Sequence, residues 1–222
     1  MNNLTLIIPA KNESESLPKV INEIKNYNYK IDVIVHKSDL KTIDSIKNLD
    51  IQIKYQENFG YGDALIYGIK NCQTDYFCIF NADGSFRPSE IGNMIKKINN
   101  EKLDFIFASR YQKNSGSEDD TFVTLCGNYI FTILGKIFFR LNISDILYTY
   151  VLGKTKCAKD LNLIQKDFSF CVELPIKAKR NNMKISSFGS YERKRIAGFK
   201  KVNAFRDGLL ILIYMINIFF QK

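Results

Sequence analysis

Tyr76-Phe77-Cys78-Ile79-Phe80 runs without a break into Asn81-Ala82-Asp83-Gly84-Ser85. A short apolar and aromatic run closed by an Asp-Gly turn reads as a buried strand, so an amide and a carboxylate fall on the loop at its carboxyl end. Further short apolar runs at 4–8, 31–35, 51–55 and 105–108 alternate with helix-period segments. The alternation predicts βαβ units: an α/β fold with a mainly parallel central sheet flanked by helices. In such folds ligands bind outside the carboxyl ends of the strands where strand order reverses, which makes the loops after each run the place to look for chemistry.

A chain of 222 residues with 45% hydrophobic composition can bury a full core, and we expect one domain at 1–204 followed by an apolar C-terminal helix at 205–222. The formal charge of +9 is concentrated: residues 166–222 hold twelve basic against four acidic side chains. Such a field favours phosphate-rich partners, whether nucleotides, nucleic acid or an anionic membrane surface. No nucleic-acid recognition motif accompanies the charge, so nucleic acid is not an expected partner. Five cysteines, odd in number and without C-x-x-C spacing, argue against a disulfide framework or a zinc site and for a reducing, cytoplasmic setting. The first strand begins almost at Met1 with no signal-peptide pattern ahead of it, so export is not expected.

The segments 129–141 and 209–220 are unusually apolar. Neither run reaches the roughly 20 residues that span a bilayer, which leaves core helices, contacts between copies in a homo-oligomer, or helices lying in a membrane interface. Thr132, Lys136 and Arg140 fall on one polar stripe of the first. The second follows Arg193-Lys194-Arg195 and Lys200-Lys201, a basic cluster suited to an anionic leaflet. Residues 112–120 are polar without periodicity and read as a mobile surface loop, either a connector or a lid.

Asp83 is the candidate ligand of a hard cation, Mg²⁺ or Mn²⁺, with Asn81 beside it. Such ions take one or two carboxylates and complete their shell with phosphate oxygens and water. Asp-Gly after a strand is also an ordinary turn, and neighbouring motifs have to decide. The first strand ends in Pro9-Ala10-Lys11-Asn12-Glu13; the third is followed by Asn58-Phe59-Gly60-Tyr61-Gly62, where Gly60 and Gly62 would let backbone N–H groups face an anion. Ser109-Arg110-Tyr111 closes the fifth strand with a guanidinium that either reaches a phosphate or pairs with an acidic loop.

In this order, Ile8-Pro9-Ala10-Lys11-Asn12-Glu13, Asn58-Phe59-Gly60-Tyr61-Gly62, Asn81-Ala82-Asp83 and Ala108-Ser109-Arg110-Tyr111 resemble the family 2 glycosyltransferases of the GT-A fold. The likeness is to the branch of dolichol-phosphate mannose synthase and polyprenyl-phosphate glycosyltransferases. Ser144-Asp145-Ile146 resembles its Asp-containing segment, residues 170–178 around Glu173 its Glu-bearing helix, and Arg195-Ile196-Ala197-Gly198-Phe199-Lys200-Lys201 its R-x-x-G-x-S-K motif. The resemblance implies that Pro9, Ala10, Asn12 and Glu13 line a nucleoside pocket. It extends the substrate contacts to Gly60, Gly62, Asn81, Ala82, Ser109, Arg110 and Lys201, and gives Asp83 the metal. It further implies inverting transfer from a nucleotide-diphosphate sugar at the cytoplasmic face of a membrane, in glycolipid or surface-polysaccharide assembly. A lipid-phosphate acceptor is already anionic; a glycan hydroxyl would call on Asp145 or Glu173 as base, with Arg195 adding a cationic contact. Apart from that role Asp145 reads as a helix cap and Glu173 as a surface or ion-paired residue.

The chain departs from the pattern in several places. Asn81 stands where the family has the first Asp of Asp-x-Asp, and His36-Lys37-Ser38-Asp39 stands for Asp-Asp-Gly-Ser, which should alter base recognition. Thr121-Phe122-Val123-Thr124 replaces an arginine-containing stretch, Lys200 the Ser of R-x-x-G-x-S-K, and Thr149-Tyr150-Val151 a G-F-R. These departures motivate a second reading, a non-catalytic GT-A relative acting as a binding or membrane-associated subunit. A sugar nucleotidyltransferase would carry a glycine-rich, Arg- and Lys-bearing loop after the first strand, which this chain lacks.

Overall fold

Along β1 (Leu4–Ala10) the side chains alternate between two cores: Leu4, Leu6 and Ile8 pack on one face of the sheet and Ile7 on the other. The same division runs through β2 (Lys30–His36), with Val33 on the first face and Ile34 on the second. A computed structural model describes residues 3–221. Its remaining elements are α1 (Leu17–Ile24), α2 (Leu40–Ile46), β3 (Gln52–Gln56), α3 (Tyr61–Lys70), β4 (Tyr76–Ile79), α4 (Ile91–Asn100), β5 (Phe105–Ser109), β6 (Gly116–Ser117), α5 (Phe122–Phe139), β7 (Val151–Lys154), α6 (Thr155–Asp160), α7 (Phe170–Arg180), β8 (Ile185–Gly189), β9 (Tyr191–Glu192) and α8 (Ala204–Phe220).

A seven-stranded sheet has the order β3-β2-β1-β4-β7-β5-β8, and β7 alone runs antiparallel to its neighbours. Leu17, Val20, Ile21 and Ile24 recur at helical spacing on α1 and face one core together with α4, whose Ile91, Met94 and Ile98 are buried. Helices α3, α7 and α8 cover the opposite face. The chain steps outward from β1 to β2 to β3 and then returns to β4 on β1's other side, so strand order reverses between β1 and β4. A crevice at their carboxyl ends follows from that reversal.

Of the alternatives for the apolar run at 209–220, the core is realised in part: Ile211, Met215 and Ile218 of α8 are buried together with α3 and α7. The loop at 112–120 is not loose, because β6 pairs with β9 and Glu118 to Asp120 are engaged by cations and hydroxyls. On α5, Thr132 turns inward and its hydroxyl accepts from the Ile146 N–H. Helix α5 begins earlier than the apolar run suggested, at Phe122, with Thr121 as its cap; at 18 residues and a mean hydropathy of 1.6 it is long and apolar enough to cross a membrane. Phe131 lies by Gly208, and Phe138 and Phe139 lie by Phe219, so α5 and α8 run side by side in the same direction.

Candidate active site

The carboxyl ends of β1, β2 and β4 meet at the strand-order reversal, and the expected site residues of the first half of the chain gather there. Asn12 takes a left-handed conformation (φ 54°), which turns its N–H to the Asp39 carboxylate at 2.6 Å; the Glu13 N–H donates to the Thr42 hydroxyl at 2.9 Å. The Pro9 to Glu13 loop is thus tied to the start of α2. The Glu13 carboxylate is buried and accepts from Ser16 Oγ at 2.6 Å and from Lys201 Nζ. Two residues 188 positions apart in sequence are therefore partners.

Asp83 Oδ1 accepts from the Ser85 N–H at 3.0 Å, while Oδ2 stands 3.7 Å from Arg195 Nη1. Gly84 holds the turn at φ +83° with the Ile196 side chain packed on it, and the Ile196 N–H donates to the Asp83 carbonyl at 2.8 Å. The amide of Asn81 donates to Ser85 Oγ at 3.3 Å, and Ala82 is buried. The basic segment that follows β9 therefore closes directly over the β4 loop.

Four of its five cations pair with carboxylates of the protein. Arg193 forks onto Glu23 at 2.9 and 3.0 Å, Arg195 onto Asp119 at 2.7 and 3.2 Å, and Lys200 lies 3.3 Å from the same Asp119. Arg193, Arg195, Lys200 and Lys201 thus each pair with a carboxylate, while the Lys194 side chain is exposed and only its main-chain N–H is bonded, to Glu118. Burial pushes the Asp119 carboxyl up, but hydrogen bonds and charge from Arg195 and Lys200 outweigh it and hold the group below the usual range. Sequence reading missed Asp119. The available signal was charge complementarity between Glu118-Asp119-Asp120 and the run at 193–201.

Arg110 takes the second of its two alternatives. Its guanidinium is buried, forks onto Asp145 at 2.7 and 3.0 Å, reaches Asp120 and Glu192 at 3.3 and 3.2 Å, and lies 4.6 Å over the Tyr148 ring. Burial raises the Glu192 carboxyl and Arg110 pulls it back only in part. Ser109 is fully buried, its hydroxyl accepting from Ser144 and from the Tyr111 N–H. Ser109 and Arg110 are both buried, with their polar atoms bonded within the protein.

Asp145 and Glu173 are likewise sequestered. Asp145 is 1% exposed and committed to Arg110. Glu173, 0% exposed, accepts from the N–H groups of Ile164 and Gln165 at 3.0 and 2.8 Å and pairs with Lys177 at 2.7 Å. Glu173 thereby pins the segment 162–168, which lies against Gly60 and Gly62. A Cβ on either glycine would come within 2.1 Å of a carbonyl oxygen of Lys166 or Gln165. The Asp63 N–H is given to Lys166 O, and both glycines pack closely against the segment 162–168.

The Glycosyl transferase family 2 model matches residues 5–161. The chain belongs to glycosyl transferase family 2. This family 2 glycosyltransferase is 28% identical over 206 residues to the UDP-N-acetylglucosamine--dolichyl-phosphate N-acetylglucosaminyltransferase of Methanococcus voltae, covering 81% of each chain. It is 30% identical over 125 residues to a dolichol-phosphate mannosyltransferase of Pyrococcus furiosus, covering 52% of this chain and 35% of that one. Glucosyl-3-phosphoglycerate synthase from Mycobacterium tuberculosis, solved with UDP, shares the fold with a TM-score of 0.73 at 12% identity, covering 98% of this chain and 80% of that one. The same enzyme with Mn²⁺, UDP and glucosyl-3-phosphoglycerate gives a TM-score of 0.68 at 12% identity, with 98% and 80% covered. The GT-A fold of the glycosyltransferase, a mainly parallel sheet flanked by helices, is thus the one expected from the alternating runs.

Proposed function

We propose that this glycosyltransferase inverts a sugar from a nucleotide-diphosphate donor onto a lipid-linked phosphate, of polyprenyl type, at the cytoplasmic face of a membrane, in glycolipid or surface-polysaccharide assembly. The observation that carries it is the convergence of Glu13, Asp83 and Asp119 with Arg195, Lys200 and Lys201 over the β1/β4 crevice. Acidic groups suited to a cation and basic groups suited to phosphate share one place, each neutralising the other until a ligand divides them. A relative acts on dolichyl phosphate by its name, and a fold neighbour carries UDP and Mn²⁺.

No group of three or more His, Cys, Asp or Glu side chains suited to a metal ion occurs among the described residues, so a divalent ion would rest on Asp83 and on substrate oxygens. Asp83 Oδ2 has a guanidinium as its nearest cation at 3.7 Å, and one carboxylate beside an amide suffices where substrate oxygens complete the shell. Mg²⁺ or Mn²⁺, when bound, would neutralise charge on the departing diphosphate. Asp83 and Asn81 would hold it. Arg195 and Lys201, released from Asp83, Asp119 and Glu13, would turn to the diphosphate oxygens. An acceptor phosphate oxygen attacks the anomeric carbon as its bond to the diphosphate oxygen breaks, so the nucleoside diphosphate leaves and the configuration inverts.

An anionic acceptor needs no general base. The sequestration of Asp145 and Glu173 favours it over a glycan hydroxyl, because both expected bases are locked in buried ion pairs. Attachment to the membrane falls to the outer faces of α5 and α8. Phe122 on α5 and Phe205 and Phe220 on α8 are 79%, 83% and 77% exposed, beyond what a surface not covered by lipid or protein usually leaves bare. Both helices start beside the crevice, after Asp120 and after Lys201.

The test offers UDP-, GDP- and dTDP-sugars with Mn²⁺ to the protein on vesicles containing polyprenyl phosphate. Transfer to the lipid that Asp83→Ala abolishes is expected. Transfer to a glycan hydroxyl alone would sink the acceptor assignment, and nucleotide-sugar binding without turnover would make the chain a non-catalytic relative.

A further inference from the structure

Lys136 and Arg140 of α5 have no part in the crevice. Both side chains are exposed and stand one helical turn apart, in the last turn of the helix and at its C-cap. Helix α7 ends at the same place with Lys179 and Arg180, also exposed. Arg180 joins the three helices: its Nη2 donates to the Ile218 carbonyl of α8, and its guanidinium lies 6.0 Å over the Phe139 ring of α5.

Among the described residues no carboxylate lies within ion-pair distance of these four cations. Lys177, in the same last turn of α7, has Glu173, and the run at 193–201 has Glu13, Glu23 and Asp119. A cation in the last turn of a helix offsets its dipole, which accounts for any one of the four. It does not account for four gathered without counter-charge where three helices end, since each repels the others.

The cluster borders apolar surface. Ile137, Phe138, Phe219 and Phe220 are exposed beside it. On α5 and α8 together the sole acidic side chain is Asp207, at the opposite end of α8, where its carboxylate accepts from the Asn203 N–H. An apolar strip with cations at its rim matches a bilayer that is apolar within and anionic at its boundary: long basic side chains lie along the apolar surface and carry their charge to the headgroups. A two-fold contact between copies on this face would bury the same cations twice, with only Asp207 on either strip to meet them.

We propose that Lys136, Arg140, Lys179 and Arg180 form a docking site for anionic phospholipid headgroups at the rim of the apolar face of α5 and α8. The proposal rests on the membrane-attachment reading above and adds the class of lipid and the residues that select it.

The experiment is flotation of the full chain with vesicles of phosphatidylcholine alone and of phosphatidylcholine mixed with phosphatidylglycerol. Wild type should bind the mixed vesicles more tightly, and added salt should narrow the difference. Lys136→Gln, Arg140→Asn and Lys179→Gln combined remove three of the cations. Asparagine tolerates the left-handed conformation of Arg140 (φ 53°), and Arg180 is left in place to bond the end of α8. At about fivefold for each cation, this triple variant should bind mixed vesicles roughly a hundredfold more weakly, with binding to phosphatidylcholine alone and the circular dichroism spectrum kept. A control variant, Lys25→Gln with Lys41→Gln and Lys96→Gln, makes the same change of charge after α1 and on α2 and α4, and should lose less than one cluster cation is worth. An equal loss in the control would reduce the effect to net charge and overturn the site. Wild type that binds both vesicles equally would overturn it too, while leaving the apolar attachment intact. Binding to neither vesicle would overturn both, and a dimer in light scattering that the triple variant alters would give the face to a second copy.

Discussion

Asp119→Asn should make the protein less stable and a better binder of nucleoside diphosphates at once. Arg195 reaches Asp119 through two hydrogen bonds at 2.7 and 3.2 Å, and the two side chains are 15–17% exposed. Hydrogen bonds to charged groups contribute about 1.5–3 kcal/mol, and exposed ion pairs about 0.2–1 kcal/mol. This partly shielded pair, of which asparagine keeps one acceptor, stands between those limits at about 1.4 kcal/mol. Removing it should lower Tm by about 3–6 °C for a chain of this size. The same energy no longer has to be overcome when Arg195 turns to a diphosphate, so affinity should rise about tenfold. Thermal melts without ligand and calorimetry with UDP or GDP in Mn²⁺ read the two signs separately. The stability difference between wild type and variant also has a pH signature. Asp119 is held below the usual carboxyl value of about 3.9, so its contribution is complete above that pH and disappears as the pH falls through the lowered value. A variant that melts lower yet binds nucleotide no better, or worse, would refute competition between Asp119 and the diphosphate for Arg195.

Asp83→Ala should reduce metal-dependent transfer by about a hundredfold or more while the circular dichroism spectrum is kept, since the loss falls on charge stabilisation at the leaving group; a tenth of wild-type activity remaining would remove Asp83 from that role. Glu173→Gln leaves Lys177 without its buried partner and should cost about 3–5 kcal/mol, seen as a Tm lower by about 6–20 °C, with no change in the pH dependence of kcat. Loss of the basic limb of that profile would restore Glu173 as a base. Phe205→Glu with Ile213→Glu, at 83% and 45% exposure, should weaken sedimentation with anionic vesicles at unchanged Tm, whereas Met215→Glu, at 3%, should unfold the protein. Unaltered vesicle binding with loss of a dimer in light scattering would assign the apolar face to a second copy.

The alternation of short apolar runs with helical periods was enough to place β1 to β5, because the period of a buried strand and of an amphipathic helix is a local property, whereas β7 and β8, inserted from the second half of the chain, were not legible. The position of Asp83 at a strand's carboxyl end was legible for the same reason. What Arg110, Asp145, Glu173, Gly60 and Gly62 do was not. Each has a role set by a partner far along the chain: Asp145 for Arg110, the segment 162–168 for Glu173 and the glycines. A carboxylate reads the same in sequence whether it faces substrate or a buried guanidinium, and only folding fixes its neighbour. Likewise composition left α8 as a core, oligomer or interfacial helix, and only the fold shows that three of its residues complete the core. The basic run at 193–201 promised a phosphate-seeking surface. In the fold it lies over Glu13, Asp83 and Asp119, because a charged segment settles on the nearest opposite charge that backbone geometry allows.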